Sequence, residues 1–300
     1  MTSQRIIDTE ASVTDNAVAA MSATPDARLR QIMESLVRHA HAFVREVDLT
    51  EEEFDAGLRF ITAIGQACTD SHNEVVLAAD VLGISTLVAL RNNPQQHGQT
   101  AGALLGPFWR LHAPDCPNGD CIARSDTPGA ATYVAGQVRD ITGKPVVGAV
   151  VDVWQASPVG LYENQDPEQD EMNLRGKFTT DADGSYRFFT VRPAGYPVPT
   201  HGPCGELLAR QLRHPFRPAH IHFMVSAPGY KTLITQVFAD DSDHLDSDVV
   251  FGVTRALVGR FEQRPAGFVP PGAQRGAAYT LDYDFVLEPG VCCFPEPPIK

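Results

Sequence analysis

Near residue 105 the hydrophobic period of this chain changes from about 3.6 to about two, and no other feature limits its fold as tightly. Upstream, Leu29, Ile32, Met33, Leu36, Ala40, Phe43 and Val44 recur at helical spacing after Thr24-Pro25, a pair that reads as an N-cap and a first-turn proline. Thr50 to Glu53 reads as a capping box opening a second helix with Phe54, Leu58, Ile61, Ile64 and Cys68 on one face. Ser71 to Glu74 repeats the device before Val75, Val76, Leu77 and Val81, and a short fourth helix is expected from Ser85 to Arg91. Downstream, glycine and proline become dense, and short alternating or apolar runs take over at 133–139, 146–154, 177–180, 185–191, 220–226, 232–238 and 279–287. Turn sequences such as Thr142-Gly143-Lys144-Pro145 and Asp181-Ala182-Asp183-Gly184 separate them. Helices followed by strands imply an α+β chain. The expected organisation is a loosely ordered stretch at 1–23, a helical domain at 24–105 and an antiparallel β-sandwich at 106–300, whose tail after Pro289 is loose.

At 300 residues and 43% hydrophobic content the chain can bury one large or two modest cores. A net charge of −13 without a basic run argues against nucleic acid and anionic membrane as partners. No apolar run approaches the ~18 residues of a membrane span, and the N-terminus lacks the basic and apolar blocks of a secretory signal. Cys116 and Cys121 share a loop without a second pair at zinc-ribbon spacing, and Cys292 and Cys293 are adjacent. Reduced thiols in a cytoplasmic protein without zinc are therefore expected.

The chemistry concentrates in Arg217-Pro218-Ala219-His220-Ile221-His222-Phe223. Alternation along a strand puts both imidazoles on one face, close enough to grip one ion, and Arg217 places a permanent cation nearby. Gly160-Leu161-Tyr162 and Gly195-Tyr196-Pro197 each set a tyrosine just after a strand, where loops on a rigid scaffold carry function. Alone, any of these is more simply a half-exposed histidine or a buried ring with a satisfied hydroxyl. Together they form a donor set. Imidazole suits iron, copper or zinc, whereas a phenolate is a hard anion that favours Fe(III).

With these motifs the chain resembles the intradiol ring-cleavage dioxygenases, non-haem Fe(III) enzymes of aromatic catabolism. The resemblance runs from about residue 25 to 288 through Leu105-Gly106-Pro107-Phe108, Val153-Trp154-Gln155, Gly160-Leu161-Tyr162, Asn173-Leu174-Arg175-Gly176, Gly195-Tyr196-Pro197 and the histidine segment, in the family's order. It implies that Tyr162, Tyr196, His220 and His222 are the ligands of Fe(III), and that the helical half is a homodimerisation domain, which in this family can hold a phospholipid between protomers. It further implies a substrate with adjacent hydroxyls chelating the iron, Tyr196 accepting a proton as substrate arrives, and O2 attacking the ring. Arg217 would stabilise charge developing on that ring, and Gln236 could donate a second hydrogen bond.

Asn173-Leu174-Arg175-Gly176, the segment from Gly195 to Thr200, and Asp246 to Gly252 look closest to the hydroxyquinol 1,2-dioxygenases. In that subgroup the pocket positions match Leu77, Asp80, Leu105, Gly106, Pro107, Phe108, Val198, Pro199, Arg217 and Val250. Asp80 could accept a hydrogen bond from a third ring hydroxyl and penalise plain catechol; its plainer role is to end the third helix facing water. Leu104, Leu105 and Trp109 around Gly106-Pro107-Phe108 match no single subgroup, so catechol and chlorocatechols stay open. Two rivals remain. Residues 131–191 also resemble prealbumin-like binding modules without metal, and a divalent two-histidine site would need a facial carboxylate that Glu163 and Asp166 are not patterned to supply.

Overall fold

A computed structural model describes residues 6–124 and 127–299. The chain divides into two compact units, 1–62 and 63–300.

The first unit holds α1 (Glu10–Ala20), α2 (Ala27–Glu46) and most of α3 (Glu51–Gln66). α1 lies inside the stretch expected to be loose; residues 1–5 of that stretch fall outside the described residues. It forms because Thr9 and Ser12 cap each other: Ser12 N donates to Thr9 Oγ1 at 3.3 Å and Thr9 N to Ser12 Oγ at 3.2 Å. Serine in the place of the usual Glu or Gln hides this box from a pattern search. Thr14 is buried, its hydroxyl 2.9 Å from His41 Nδ1. α2 starts later than Thr24-Pro25 suggests, because Asp26 Oδ1 accepts from Arg28 N at 2.8 Å and Leu29 N at 3.0 Å. The Thr50–Glu53 box forms as expected, with Glu53 N donating to Thr50 Oγ1 at 3.3 Å and Thr50 N to Glu53 Oε2 at 3.0 Å. α2 buries no residue, and Leu29, Ile32, Leu36 and Phe43 are all exposed.

The second unit begins with α4 (Glu74–Val81) and α5 (Ile84–Asn92). Asn73 rather than Ser71 caps α4, accepting from Val76 N at 3.0 Å. There follow β1 (Ala131–Asp140), β2 (Val150–Trp154), β3 (Arg175–Thr179), β4 (Ser185–Val191), β5 (Tyr196–Pro197), α6 (Pro203–Arg210) and β6 (Phe216–Arg217). β7 (His220–Ser226), β8 (Leu233–Ala239), β9 (Val258–Gly259), β10 (Phe261–Gln263), β11 (Tyr279–Asp282) and β12 (Phe285–Leu287) complete it. Among the described residues these strands make two five-stranded sheets and the short β5–β6 ladder. One sheet runs β3-β2-β7-β8-β9; in the other, β4 lies on one side of β1, and β11 and β12 on the other. Their facing sides share one core, including Val134 and Val138 from β1, Phe188 from β4, Val151 and Val153 from β2, and Ile221 and Phe223 from β7. Such alternation is what a sandwich requires.

Most ladders are antiparallel, as expected, but β1 runs parallel to β11 and β12, and β8 to β9. The expected single strand at 279–287 is broken at Tyr283 and Asp284, and Gly136 shows why. A Cβ at Gly136 would stand 1.8 Å from Tyr283 O, so only glycine lets that backbone press against β1.

α4 and α5 belong to the sandwich unit, which places the compact division earlier than residue 105. Leu77, Ala78 and Val81 of α4 pack with Leu104, Val198 and Val250. The segment after Pro289 is anchored rather than loose: Cys293 N donates to Thr232 Oγ1 at 3.1 Å and Ile299 is buried, while Lys300 is outside the described residues. All six cysteines are free, and among the described residues no helix is long and apolar enough to cross a membrane.

Candidate metal centre

The site is built on one row of the second sheet. Backbone register sets Arg175 of β3 opposite Trp154 of β2, Trp154 opposite His222 of β7, and His222 opposite Gln236 of β8. Neighbours across strands share a face. The Trp154 indole therefore stacks on the His222 ring, centroids 4.8 Å apart and planes 12° apart. His220, two residues earlier, points to the same side, with its Nε2 3.1 Å from His222 Nε2. Tyr162 arrives from the segment after β2. Tyr196 opens β5, whose partner in β6 is Arg217. The two phenol oxygens lie 3.2 Å apart. The structure thus brings all four expected donors into one cluster, each no more than 4% exposed.

Burial decides their protonation. It pushes the Tyr162 phenol well above its ordinary value, with Tyr196 adding to the effect, and raises Tyr196 against the pull of Arg217. It pushes His220 down to about 3, and the Arg217 guanidinium adds to this; His222 is held well below its ordinary value for the same reason and by its neighbour His220. Both imidazoles are therefore neutral at physiological pH. His220 Nδ1 donates to Pro218 O at 2.7 Å, which leaves its Nε2 lone pair facing the cluster. His222 Nδ1 is buried without a partner, so on that side its ring is held by the Trp154 stack, and its Nε2 meets only His220.

Around the donors stands a charged frame. Arg217 donates through Nε to Asp248 Oδ1 and through Nη2 to Asp248 Oδ2, each at 3.1 Å, and through Nη2 to Gln236 Oε1 at 2.8 Å. Its Nη1 lies 3.1 Å from His220 Nε2. Gln236 is held on both sides: its oxygen accepts from Arg217 and its Nε2 donates one hydrogen to Leu104 O at 2.7 Å, which leaves its second N–H for another acceptor. Behind Tyr162, Glu163 accepts from Arg175 Nε at 2.7 Å and Arg110 Nη1 at 2.8 Å. That carboxylate is consumed, and among the described residues no three His, Cys, Asp or Glu side chains are placed to hold a metal. A divalent site with a facial carboxylate therefore has no third donor among these side chains; beside the imidazoles stand two phenols.

Five of the expected pocket residues fall in two apolar clusters. Phe108 packs with Tyr162, Tyr196, Trp154 and the half-buried Leu105; its ring stacks on Tyr162 at 4.5 Å. Leu77, Val198 and Val250 share the other cluster, with Pro107 and Pro199 partly exposed. Gly106, at φ 74°, brings its backbone against His222; a Cβ there would come within 3.2 Å of His222 Cε1. Asp80 does not face water. It is 4% exposed, and burial pushes its carboxyl up to about 6, against a hydrogen bond from Ser85 and the charge of Arg217.

Sequence reasoning missed Asp248, the counter-charge of Arg217, although it lies inside the quoted Asp246–Gly252 segment. An acid immediately before Val249-Val250, in a run otherwise fit for burial, was the available signal.

Comparison with known proteins places the chain in a family. The family model described as dioxygenase matches residues 106–289, and that of the catechol dioxygenase N terminus matches 26–100. The 6-chlorohydroxyquinol 1,2-dioxygenase of Cupriavidus pinatubonensis is 42% identical over 93% of this chain and 97% of its own length. The catechol 1,2-dioxygenase of Candida albicans is 41% identical over 89% of this chain and 88% of its own. The crystal structure of hydroxyquinol 1,2-dioxygenase from Pseudomonas putida DLL-E4 superposes with a TM-score of 0.87 at 44% identity, covering 94% of this chain and 99% of that one. The prealbumin-like alternative accounts for neither the helical half nor these matches. On its fold, its motifs and its relatives, the chain belongs to the intradiol ring-cleavage dioxygenase family.

Proposed function

We propose that this enzyme opens the ring of hydroxyquinol (benzene-1,2,4-triol) between its adjacent hydroxyls with O2, giving maleylacetate (3-hydroxy-cis,cis-muconate), and that Tyr162, Tyr196, His220 and His222 hold Fe(III). The observation that carries the reading is the single buried cluster of two neutral imidazoles and two phenols. Ferric iron held there would supply a Lewis acid that binds the substrate's hydroxyls and draws electron density from the ring.

The chain's own groups do the rest. Tyr196, a buried phenol on a two-residue ladder, would become a base for an incoming hydroxyl only as the phenolate that a bound ferric ion would favour. Arg217, fixed by Asp248 and Gln236, is a rigid cation whose Nη1, 3.1 Å from His220 Nε2, would be left to face the substrate if that nitrogen held a metal. Asp80 supplies a buried acceptor for the third hydroxyl, and catechol, lacking that hydroxyl, would leave it with Ser85 as its hydrogen-bond donor and one acceptor oxygen less well satisfied. Catechol or chlorocatechol cleavage is the second reading, favoured by the apolar Leu77, Val198 and Val250 wall.

The test is a visible spectrum followed by anaerobic and aerobic addition of hydroxyquinol and of catechol. A broad tyrosinate-to-Fe(III) band that shifts with substrate, and faster cleavage of hydroxyquinol, are expected; Tyr162→Phe should lose the band and most turnover. A colourless protein with no spectral response would refute the ferric site, and faster catechol cleavage would refute the substrate.

The exposed apolar face of α2 supports a homodimer through the N-terminal helices, and the same face offers acyl chains of a phospholipid an apolar bed. The substrate is a small aromatic, the acidic chain fits neither nucleic acid nor membrane surface, and a cytoplasmic location completes the reading.

A further inference from the structure

Beyond β12 the chain returns to the sandwich. Gly290 N donates to Gly229 O at 3.0 Å, Cys293 N to Thr232 Oγ1 at 3.1 Å, and Cys292 Sγ lies 3.5 Å from that same hydroxyl. From this anchor at the start of β8 the segment runs on to Glu296, Pro297 and Pro298, which form part of the wall of a cavity of about 670 Å³. Asp80, Leu105 and Gly106 line the same cavity. Ile299 then turns inward. It is 4% exposed, although Val291, Cys293, Phe294 and Glu296 are exposed, and it is buried in the cluster that contains Phe108, Trp154, Tyr162 and Tyr196.

Two features make this a wall rather than a loose strand. An exposed segment gains little from ordering itself, so one buried side chain after several exposed residues acts as the fixing point. The two prolines hold their φ angles and lose little backbone freedom when ordered, which suits a stiff barrier. The barrier reaches the chemistry through Gly106, whose backbone forms part of the cavity wall and packs against His222.

We infer that residues 296–299 form the outer wall of the substrate cavity and set the size of ring substituent the enzyme accepts, with Ile299 as the residue that holds the wall closed. This rests on the ring-cleavage reading above. Ile299 touches no reacting atom in this scheme; it selects substrate by limiting space.

The experiment compares the parent enzyme with Ile299→Ala and with a variant lacking residues 292–300, on catechol, hydroxyquinol and 4-tert-butylcatechol. Both variants should raise the kcat/KM ratio of 4-tert-butylcatechol to catechol by about tenfold or more, mainly through KM, the scale on which one or two methylene groups of space discriminate. The chain has only two tryptophans, Trp109 and Trp154, and both share the Ile299 cluster. Acrylamide quenching of their fluorescence should therefore rise in step in both variants. A ratio within about twofold of the parent in folded variants overturns the inference, whether or not quenching rises. If the shortened variant fails to fold, Ile299→Ala alone decides. A parent that opens none of the three diols refutes the ring-cleavage reading instead, a result distinct from an active parent with unaltered variants.

Discussion

Asp248 offers the sharpest test of how the site is held. It meets Arg217 through two parallel bonds of 3.1 Å, and both side chains are almost wholly buried. Burial alone would raise the Asp248 carboxyl, but the Arg217 guanidinium overrides it and holds the carboxyl below its ordinary value. Asp248→Ala leaves a buried guanidinium whose remaining partners are neutral, Gln236 and His220. Removing one member of such a pair costs about 3–5 kcal/mol. At about 2–4 °C per kcal/mol for a unit of this size, Tm should fall by roughly 6–20 °C. Asp248→Asn keeps the shape but turns an amide NH2 towards Arg217 whichever way it is set, and in one setting also towards Gly252 N, which in the parent donates to Oδ2 at 2.9 Å. It should cost about 1–3 kcal/mol, the price of one unmade buried bond. Because Arg217 would shift from its set position, kcat/KM should fall about 100-fold in both variants. The pH dependence has a definite sign. A depressed carboxyl contributes stability that is present above its unfolded value near 4 and is lost as pH falls through its lower folded value. The Tm gap between parent and Asp248→Asn should therefore be flat from about pH 5.5 to 8.5. Thermal melts and steady-state cleavage rates measure all of this. Variants with Tm within 2 °C of the parent and kcat/KM within threefold would show that Arg217 does not depend on Asp248.

Asp80 and Gly136 give two further expectations. Asp80, raised to about 6 by burial, destabilises the fold when ionised, so Asp80→Asn should add ~2–3 kcal/mol at pH 7 and almost nothing near pH 4 in urea titrations. An equal effect at both pH values would show that its charge is not what matters. Gly136→Ala drives a methyl into Tyr283 O and should cost about 3 kcal/mol or more or prevent folding, as read by circular dichroism; a fully stable variant would mean that β1 can separate from the broken β11–β12 edge without loss.

The order of elements and the shared face of His220 and His222 were legible because each depends on local spacing, whereas Tyr162 and Tyr196 joined them only through the family resemblance. His220 and His222 needed only the two-residue period of a strand, and the Thr50–Glu53 box only four consecutive residues. What sequence could not show depends on partners distant along the chain. Gln236 reads as a free amide until β7 sets it beside Arg217 and the chain before β1 sets Leu104 O on its other side. Asp80 reads as a helix end until α4 is laid against the wall formed by Leu104, Val198 and Val250. α1 and the returning tail were missed for a related reason: a serine in place of glutamate and one isoleucine at the end of an exposed run are weak signals locally. The broken strand at Tyr283 is visible only as the close approach of two backbones, for which Gly136 is a trace and not a proof.

The four donors differ in how firmly the main chain grips them. In β7, His222 is flanked by both β2 and β8 and His220 by β8, whereas Tyr162 follows a strand and Tyr196 belongs to a ladder of only two residue pairs. Amide protons of the β7 ladder should accordingly exchange with solvent only through large-scale opening, and those around 160–165 and 195–199 through cheap local excursions. The proposed centre would thus join an anvil to two levers: the imidazoles would hold an ion in place while the phenols could give way.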